Sequence, residues 1–215
     1  MFRERELKML TVHDISIRFG EERVLDNFSC EVSRGDFVCI TGVSGCGKSS
    51  LLKALIGLVS IKKGKIKIDG CKLNEKSCNI VRRNTMYLPQ ELSFPSETIN
   101  EFVVHVCKIG KVKDVQNATK ELYKNLSLLG LEKEILDKHL SEVSGGQRQR
   151  LMLATLALLD RELWLLDEPT AALDEASRDL VINFLLAKQK EGKTIVAVSH
   201  DARFASHCST LIRLG

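Results

Sequence analysis

Lys48 and Ser49 close the run Gly42-Val43-Ser44-Gly45-Cys46-Gly47-Lys48-Ser49, which has the pattern G-x-x-x-x-G-K-S. Residue types in that order cradle phosphate. The glycines let the backbone turn tightly and bring its N–H groups close to phosphate oxygens. The Lys48 ammonium can reach β- and γ-phosphates, and the Ser49 hydroxyl can ligate Mg²⁺. Without nucleotide, Lys48 is expected to face solvent. A second pair of reactive groups, Asp167 and Glu168, ends the apolar run Leu163-Trp164-Leu165-Leu166. A carboxylate there can hold Mg²⁺ beside a phosphate loop, and its neighbour can polarise a water for attack on a γ-phosphate. The plainer alternatives are a glycine-rich turn with a surface lysine and a solvated acidic turn. The two motifs in one chain weigh against both.

These groups need elements to position them. Asp36 to Thr41 is apolar and β-branched, as a buried strand requires, and Ser50 to Ile56 has helical apolar spacing. The loop therefore runs from a strand into a helix, whose positive end favours anions. Thr85-Met86-Tyr87-Leu88 and Thr194 to Ser199 read as further buried strands, followed by Pro89-Gln90 and by His200-Asp201. Nucleotides bind outside the carboxyl ends of such strands, so Gln90 and His200 are expected at the same crevice. An ordinary loop glutamine and a structural histidine are the alternatives. Phe19 ends a loosely alternating stretch from Leu10. It can stack on a nucleotide base or pack in the core, and both remain open.

Ser144-Gly145-Gly146-Gln147 opens a helix that runs to about Leu159. Ser144 and Gln147 have capping-box spacing. A cap alone does not need two glycines in the first turn, where each costs up to ~1 kcal/mol relative to alanine. Bare N–H groups at a helix start form a second anion site, and that reading is favoured.

Around these motifs, Val24 to Val32, Gly64 to Gly70 and Ser209 to Leu214 are strand candidates. Glu91 to Leu140 is helical in texture. Thr98 and Glu101 have capping-box spacing, and Asp114 to Leu129 places Val115, Ala118, Leu122, Leu126 and Leu129 on one face. The expected organisation is one α/β domain, with a core over about 1–90 and 160–215 and a helical subdomain over about 91–159. A chain of 215 residues suits one large domain, and 44% hydrophobic residues are enough for a sizeable core.

The net charge of +4 is only mildly basic. No dense basic block is interleaved with aromatics, so nucleic acid is not an expected partner. Lys62-Lys63 and Arg82-Arg83 read as solvated faces. The seven cysteines include no C-x-x-C pair. Cys30 and Cys39 read as small buried hydrophobes of a reduced, cytosolic protein, and Cys46 would lie beside bound phosphate. Met1 to Glu6 is charged, with no signal-peptide core, and the longest apolar run, Leu151 to Leu159, is too short to span a bilayer. The chain is expected to be soluble and to borrow any membrane part from another polypeptide.

Taken together, the motifs resemble the ATP-binding subunit of ABC transporters, over nearly the whole chain and in the family's order. Gly42 to Ser49 looks like Walker A, Gln90 the Q-loop glutamine, and Ser144 to Gln147 the signature, normally Leu-Ser-Gly-Gly-Gln. Leu163 to Asp167 looks like Walker B, followed by the catalytic glutamate, Glu168. Ala172-Leu173-Asp174 looks like the D-loop, His200 the switch histidine and Phe19 the A-loop aromatic. Val143 stands for the usual signature leucine, and Phe19 for the commoner tyrosine. The resemblance implies a RecA-like P-loop NTPase core with an antiparallel β subdomain and an inserted α-helical subdomain. It implies ATP and Mg²⁺ as ligands. ATP would contact Phe19, Gly42, Val43, Ser44, Gly45, Cys46, Gly47, Lys48, Ser49 and Ser50, with Ser144, Gly145, Gly146 and Gln147 acting from a second cassette. Mg²⁺ would be held by Ser49, Gln90 and Asp167, and hydrolysis would use Glu168, His200, Gln90 and Lys48. Two cassettes would pair head to tail around ATP and drive a separate permease from the cytoplasmic face of the membrane. A C-terminal regulatory domain like that of some importers is not expected. A soluble ABC ATPase, such as the iron–sulfur assembly type, is the alternative. A degraded, nucleotide-sensing cassette is disfavoured by the presence of Lys48, Asp167, Glu168 and His200.

Overall fold

A computed structural model describes residues 8–92, 97–171 and 173–214. Two long strands, β1 (Lys8–Phe19) and β2 (Glu22–Ser33), open this part of the chain. β3 (Phe37–Gly42) leads through the phosphate loop into α1 (Lys48–Leu55). β4 (Lys63–Ile68), β5 (Cys71–Lys72), α2 (Cys78–Asn84) and β6 (Thr85–Leu88) follow. Then come α3 (Ile99–Gly110), α4 (Val115–Leu128), short 3-10 turns and α5 (Gly145–Leu156). β7 (Leu163–Asp167), α6 (Glu175–Lys190), β8 (Thr194–Val198), α7 (Ala202–Ser206) and β9 (Thr210–Leu214) complete the order.

The strands form two sheets, an antiparallel one in the order β2-β1-β4-β5 and a parallel one in the order β6-β7-β8-β3-β9. Every residue of β7 and of β8 is buried. That is the burial of a parallel sheet covered on both faces, and it explains why these strands read as unbroken apolar runs. Alternation then sorts the side chains. Leu163 and Leu165 join a core with α1 and the antiparallel sheet, whereas Trp164 and Leu166 join a second core with α3, α4 and α5. Since those helices share this core with the sheet, their position over it is fixed by apolar burial.

Some local readings change. Leu122, Leu126 and Leu129 are buried as the helical stripe requires, but Val115 at the first turn of α4 is 71% exposed. Helix α2, with only Val81 buried, has too short an apolar signal to read from sequence. Cys39 is fully buried, whereas Cys30 is half-buried because β2 is an edge strand. The Arg82 guanidinium is more than a solvated face, because it donates to the carbonyls of Ile56 and Gly57 at the end of α1. Ala172 of the D-loop reading and Met1 to Glu6 lie outside the described residues. Among the described residues, no helix is long and apolar enough to cross a membrane.

Candidate nucleotide site

The parallel sheet gathers its chemistry at one edge. The phosphate loop follows β3, Gln90 follows β6, Asp167 and Glu168 end β7, and His200 follows β8. All four strands run the same way, so these groups share the carboxyl side of the sheet. A cavity of about 710 Å³ opens there, lined by Phe19, Glu22, Val24, Gly42 to Gly45, Gly47 to Ser50, Gln90, Glu168 and His200.

The loop is shaped for close approach. Gly47 has φ of 94°, and a Cβ there would lie 2.7 Å from Val24 Cγ1. Glycine is thus required on two counts, and Val24 locks the antiparallel sheet against the loop. That contact brings the end of β1 to the cavity. Phe19 is 51% exposed in its wall rather than packed in the core, which removes the packing alternative. The amides of Lys48, Ser49 and Ser50 open α1, and among the described residues no carbonyl accepts from them.

Lys48 departs from expectation. It is 9% exposed, and its Nζ donates to the carbonyls of Gly42 and Val43 at 2.9 Å each. The ammonium is folded back onto its own loop. Cys46 Sγ lies 3.9 Å from the same Nζ.

The metal-site candidates also meet. The Ser49 hydroxyl donates to Asp167 Oδ1 at 3.0 Å. Asp167 is 1% exposed, and burial pushes its carboxyl above the usual range, against the smaller opposing effect of the Ser49 hydrogen bond. A buried carboxylate whose hydrogen-bond donor is a neutral hydroxyl is short of positive charge. With a hydroxyl beside it and phosphate oxygens within the loop's reach, it fits Mg²⁺, which takes one or two protein oxygens and substrate phosphates. Gln90 is exposed at the cavity rim.

Glu168 sits in the left-handed backbone region, with φ of 51°. That conformation is unusual for a residue with a side chain. Its Oε1 lies 2.9 Å from His200 Nδ1, while its Oε2 is buried with no partner among the described residues. His200 itself is largely exposed.

Ser144 to Gln147 do not reach this cavity. Ser144 caps α5 by accepting from the Gln147 amide, and Gln147 Oε1 accepts from the Ser144 amide, so the capping box forms. Among the described residues, no carbonyl accepts from the amides of Gly145 and Gly146, which lie beside exposed Ser144. Sequence reasoning missed Val24, Gln149 and Tyr87. Gln149 donates from α5 to the Glu168 carbonyl at 3.4 Å. The buried Tyr87 hydroxyl, near Asp167, has no hydrogen-bond partner among the described residues. Only a polar residue interrupting an apolar helix face could have marked Gln149.

Comparison with known proteins agrees with this geometry. The family model for ABC transporters matches residues 25–171. The glutamate/aspartate import ATP-binding protein of Escherichia coli is 33% identical over 201 residues, covering 92% of this chain and 83% of that protein. The carnitine transport ATP-binding protein of Listeria monocytogenes is 36% identical over 186 residues, covering 85% of this chain and 46% of that one. The chain thus spans about half the length of the carnitine and choline transport relatives it matches. A solved dimer of an ATP-binding cassette in a post-hydrolysis state, bound to ADP and Pi, superposes with a TM-score of 0.85 at 28% identity, covering 96% of this chain and 94% of that one. With a phosphate loop, a buried acidic pair and a capped Ser-Gly-Gly-Gln helix on this fold, the chain belongs to the ABC transporter family, as one of its ATP-binding cassettes.

Proposed function

We propose that this cassette binds Mg-ATP in the phosphate-loop cavity, hydrolyses it and uses the cycle to energise a membrane permease. Glu168 carries the reading: it is a buried carboxylate in the cavity wall, with one oxygen engaged by His200 and the other without a partner. Such a group is placed to accept a proton from water.

The loop amides and the opening of α1 receive the phosphates, and Lys48 turns from the Gly42 and Val43 carbonyls to the β- and γ-oxygens. Phe19 offers its exposed ring to the base. Ser49, Asp167 and Gln90 hold the metal. Mg²⁺, when bound, neutralises charge on the phosphate oxygens. Glu168 takes a proton from the attacking water as its oxygen bonds the γ-phosphorus. The bond to the β–γ bridging oxygen breaks, and ADP leaves with that electron pair. His200 keeps Oε1 engaged, which leaves Oε2 as the oxygen free to take the proton.

The start of α5 lies outside this cavity with free amides, which fits a phosphate held by a second cassette. The solved dimer supports such pairing. The relatives' names, transport and import ATP-binding proteins, support a permease partner and a peripheral place at the inner face of the membrane. They favour transport over the iron–sulfur assembly alternative.

Glu168→Gln tests the reading. General-base catalysis is worth ~10²–10⁴-fold, so turnover should fall by about that factor while ATP affinity is retained. Normal hydrolysis by the variant would remove Glu168 from the chemistry.

A further inference from the structure

Tyr87 lies on the face of the parallel sheet that α1 covers. In the β6–β7 register, Tyr87 is beside Leu165 and Leu88 is beside Leu166. Side chains alternate along a strand, so Leu165 and Asp167 point to the same side as Tyr87. Half-buried Tyr87 packs against the core beneath α1, to which Leu165 belongs. Asp167 is then one diagonal step from the ring, a span that long side chains bridge. On this side Ser49 donates to Asp167 Oδ1 at 3.0 Å.

The Tyr87 phenol ends here with its oxygen buried and no hydrogen-bond partner among the described residues. An unpaired buried hydroxyl is a cost that phenylalanine, of nearly the same shape, would not carry. Among the described residues, the Ser49 hydroxyl is the one hydrogen-bond donor to the Asp167 carboxylate. A buried donor without an acceptor thus lies on the same side of the sheet as a carboxylate that has a single donor among the described residues.

We propose that Tyr87 is a positioning residue of the metal site: its O–H donates to the Asp167 carboxylate when Mg–nucleotide is bound, fixing that ligand's orientation. The proposal rests on the reading that Ser49 and Asp167 hold Mg²⁺. In the metal-free chain the phenol lacks its acceptor, and loading supplies it. Outer-sphere partners of this kind typically change metal affinity by about 10–100-fold.

The test is Tyr87→Phe, with thermal melting measured in EDTA, in EDTA with a non-hydrolysable ATP analogue, and with the analogue across a Mg²⁺ titration. In EDTA the variant should melt at or above the wild-type temperature, because an unpaired hydroxyl is gone. The analogue alone should protect both proteins equally. The Mg²⁺ concentration giving half of the additional protection should rise about tenfold or more. A wild-type Mg²⁺ midpoint would overturn the proposal. So would melting below wild type in EDTA, which would mean that the phenol already has a partner without metal. If the wild-type protein gains no protection from Mg²⁺, the metal reading itself falls, and the role of Tyr87 falls with it.

Discussion

His200 Nδ1 lies 2.9 Å from Glu168 Oε1, joining residues that follow neighbouring strands. The main chain repeats the link, since the Glu168 amide donates to the Val198 carbonyl at 2.9 Å. From the other side, Gln149 of α5 donates to the Glu168 carbonyl. Glu168 is thereby held by β8, by His200 and by the helix that begins with Ser-Gly-Gly-Gln. A shift of α5 would be felt at Glu168, so the Ser-Gly-Gly-Gln helix and the end of β7 are mechanically linked.

Lys48→Ala should abolish ATP turnover and also weaken the fold. The ammonium bridges the carbonyls of Gly42 and Val43, so its removal opens the loop as well as costing phosphate contacts. Hydrogen bonds from a charged donor are worth about 1.5–3 kcal/mol. A thermal melt without nucleotide should therefore shift downward by a few degrees. An unchanged melt would make the clamp energetically idle, and retained turnover would refute the site.

Phe19→Ala should behave differently. The ring is 51% exposed, so stability should hardly change. Stacking on a base is worth about 1–3 kcal/mol in single-strand binding. ATP affinity, measured by calorimetry, should fall by a corresponding factor. Unchanged affinity would show that the ring does not stack on the base.

Much of this was legible in sequence because its chemistry is tied to local pattern. Gly47, Lys48 and Ser49 announce the loop, and the unbroken apolar runs of β7 and β8 announce strands covered on both faces. What escaped was long-range. Val24 lies 23 residues before Gly47 in the numbering, yet it forbids a side chain there. The contact of Gln149 with Glu168 depends on how α5 meets the sheet. Lys48 reads as a free cation until the loop carbonyls are seen to curl around it. The exposure of Phe19 depends on how the antiparallel sheet sits over the loop, which no spacing in the chain encodes.

Asp167→Asn should stabilise the nucleotide-free protein at neutral pH while abolishing Mg²⁺-dependent protection. Burial raises the carboxyl's folded pKa above its unfolded value, which is about 3.9 for a free aspartate. Between those two values the folded state binds more protons, so stability falls as pH rises. At pH 7 the ionised carboxylate carries that whole cost. Asparagine keeps an acceptor for Ser49 and removes the charge. The gain in melting temperature should shrink as pH drops through the carboxylate range and vanish below the unfolded pKa. A variant that is less stable than wild type at pH 7 would show that the buried charge is already compensated.

The partner requirement can be separated from chemistry. Glu168→Gln leaves the loop and Lys48 intact, so ATP should bind and persist. It should then hold two cassettes together, running as a monomer alone and as a dimer with Mg-ATP in size-exclusion chromatography. Adding Ser144→Arg should undo that dimer by filling the exposed start of α5. Arginine also removes the cap on Gln147, a loss of about 1 kcal/mol. Ser144→Asp is therefore the better control, because aspartate caps a helix as well as serine does but sets a negative charge against a phosphate. The aspartate double variant should melt near the single variant and the arginine one a few degrees lower, and both should stay monomeric with Mg-ATP. If the aspartate form still dimerises, the partner's phosphate does not sit at this helix start, and Ser144 to Gln147 serve only as a cap.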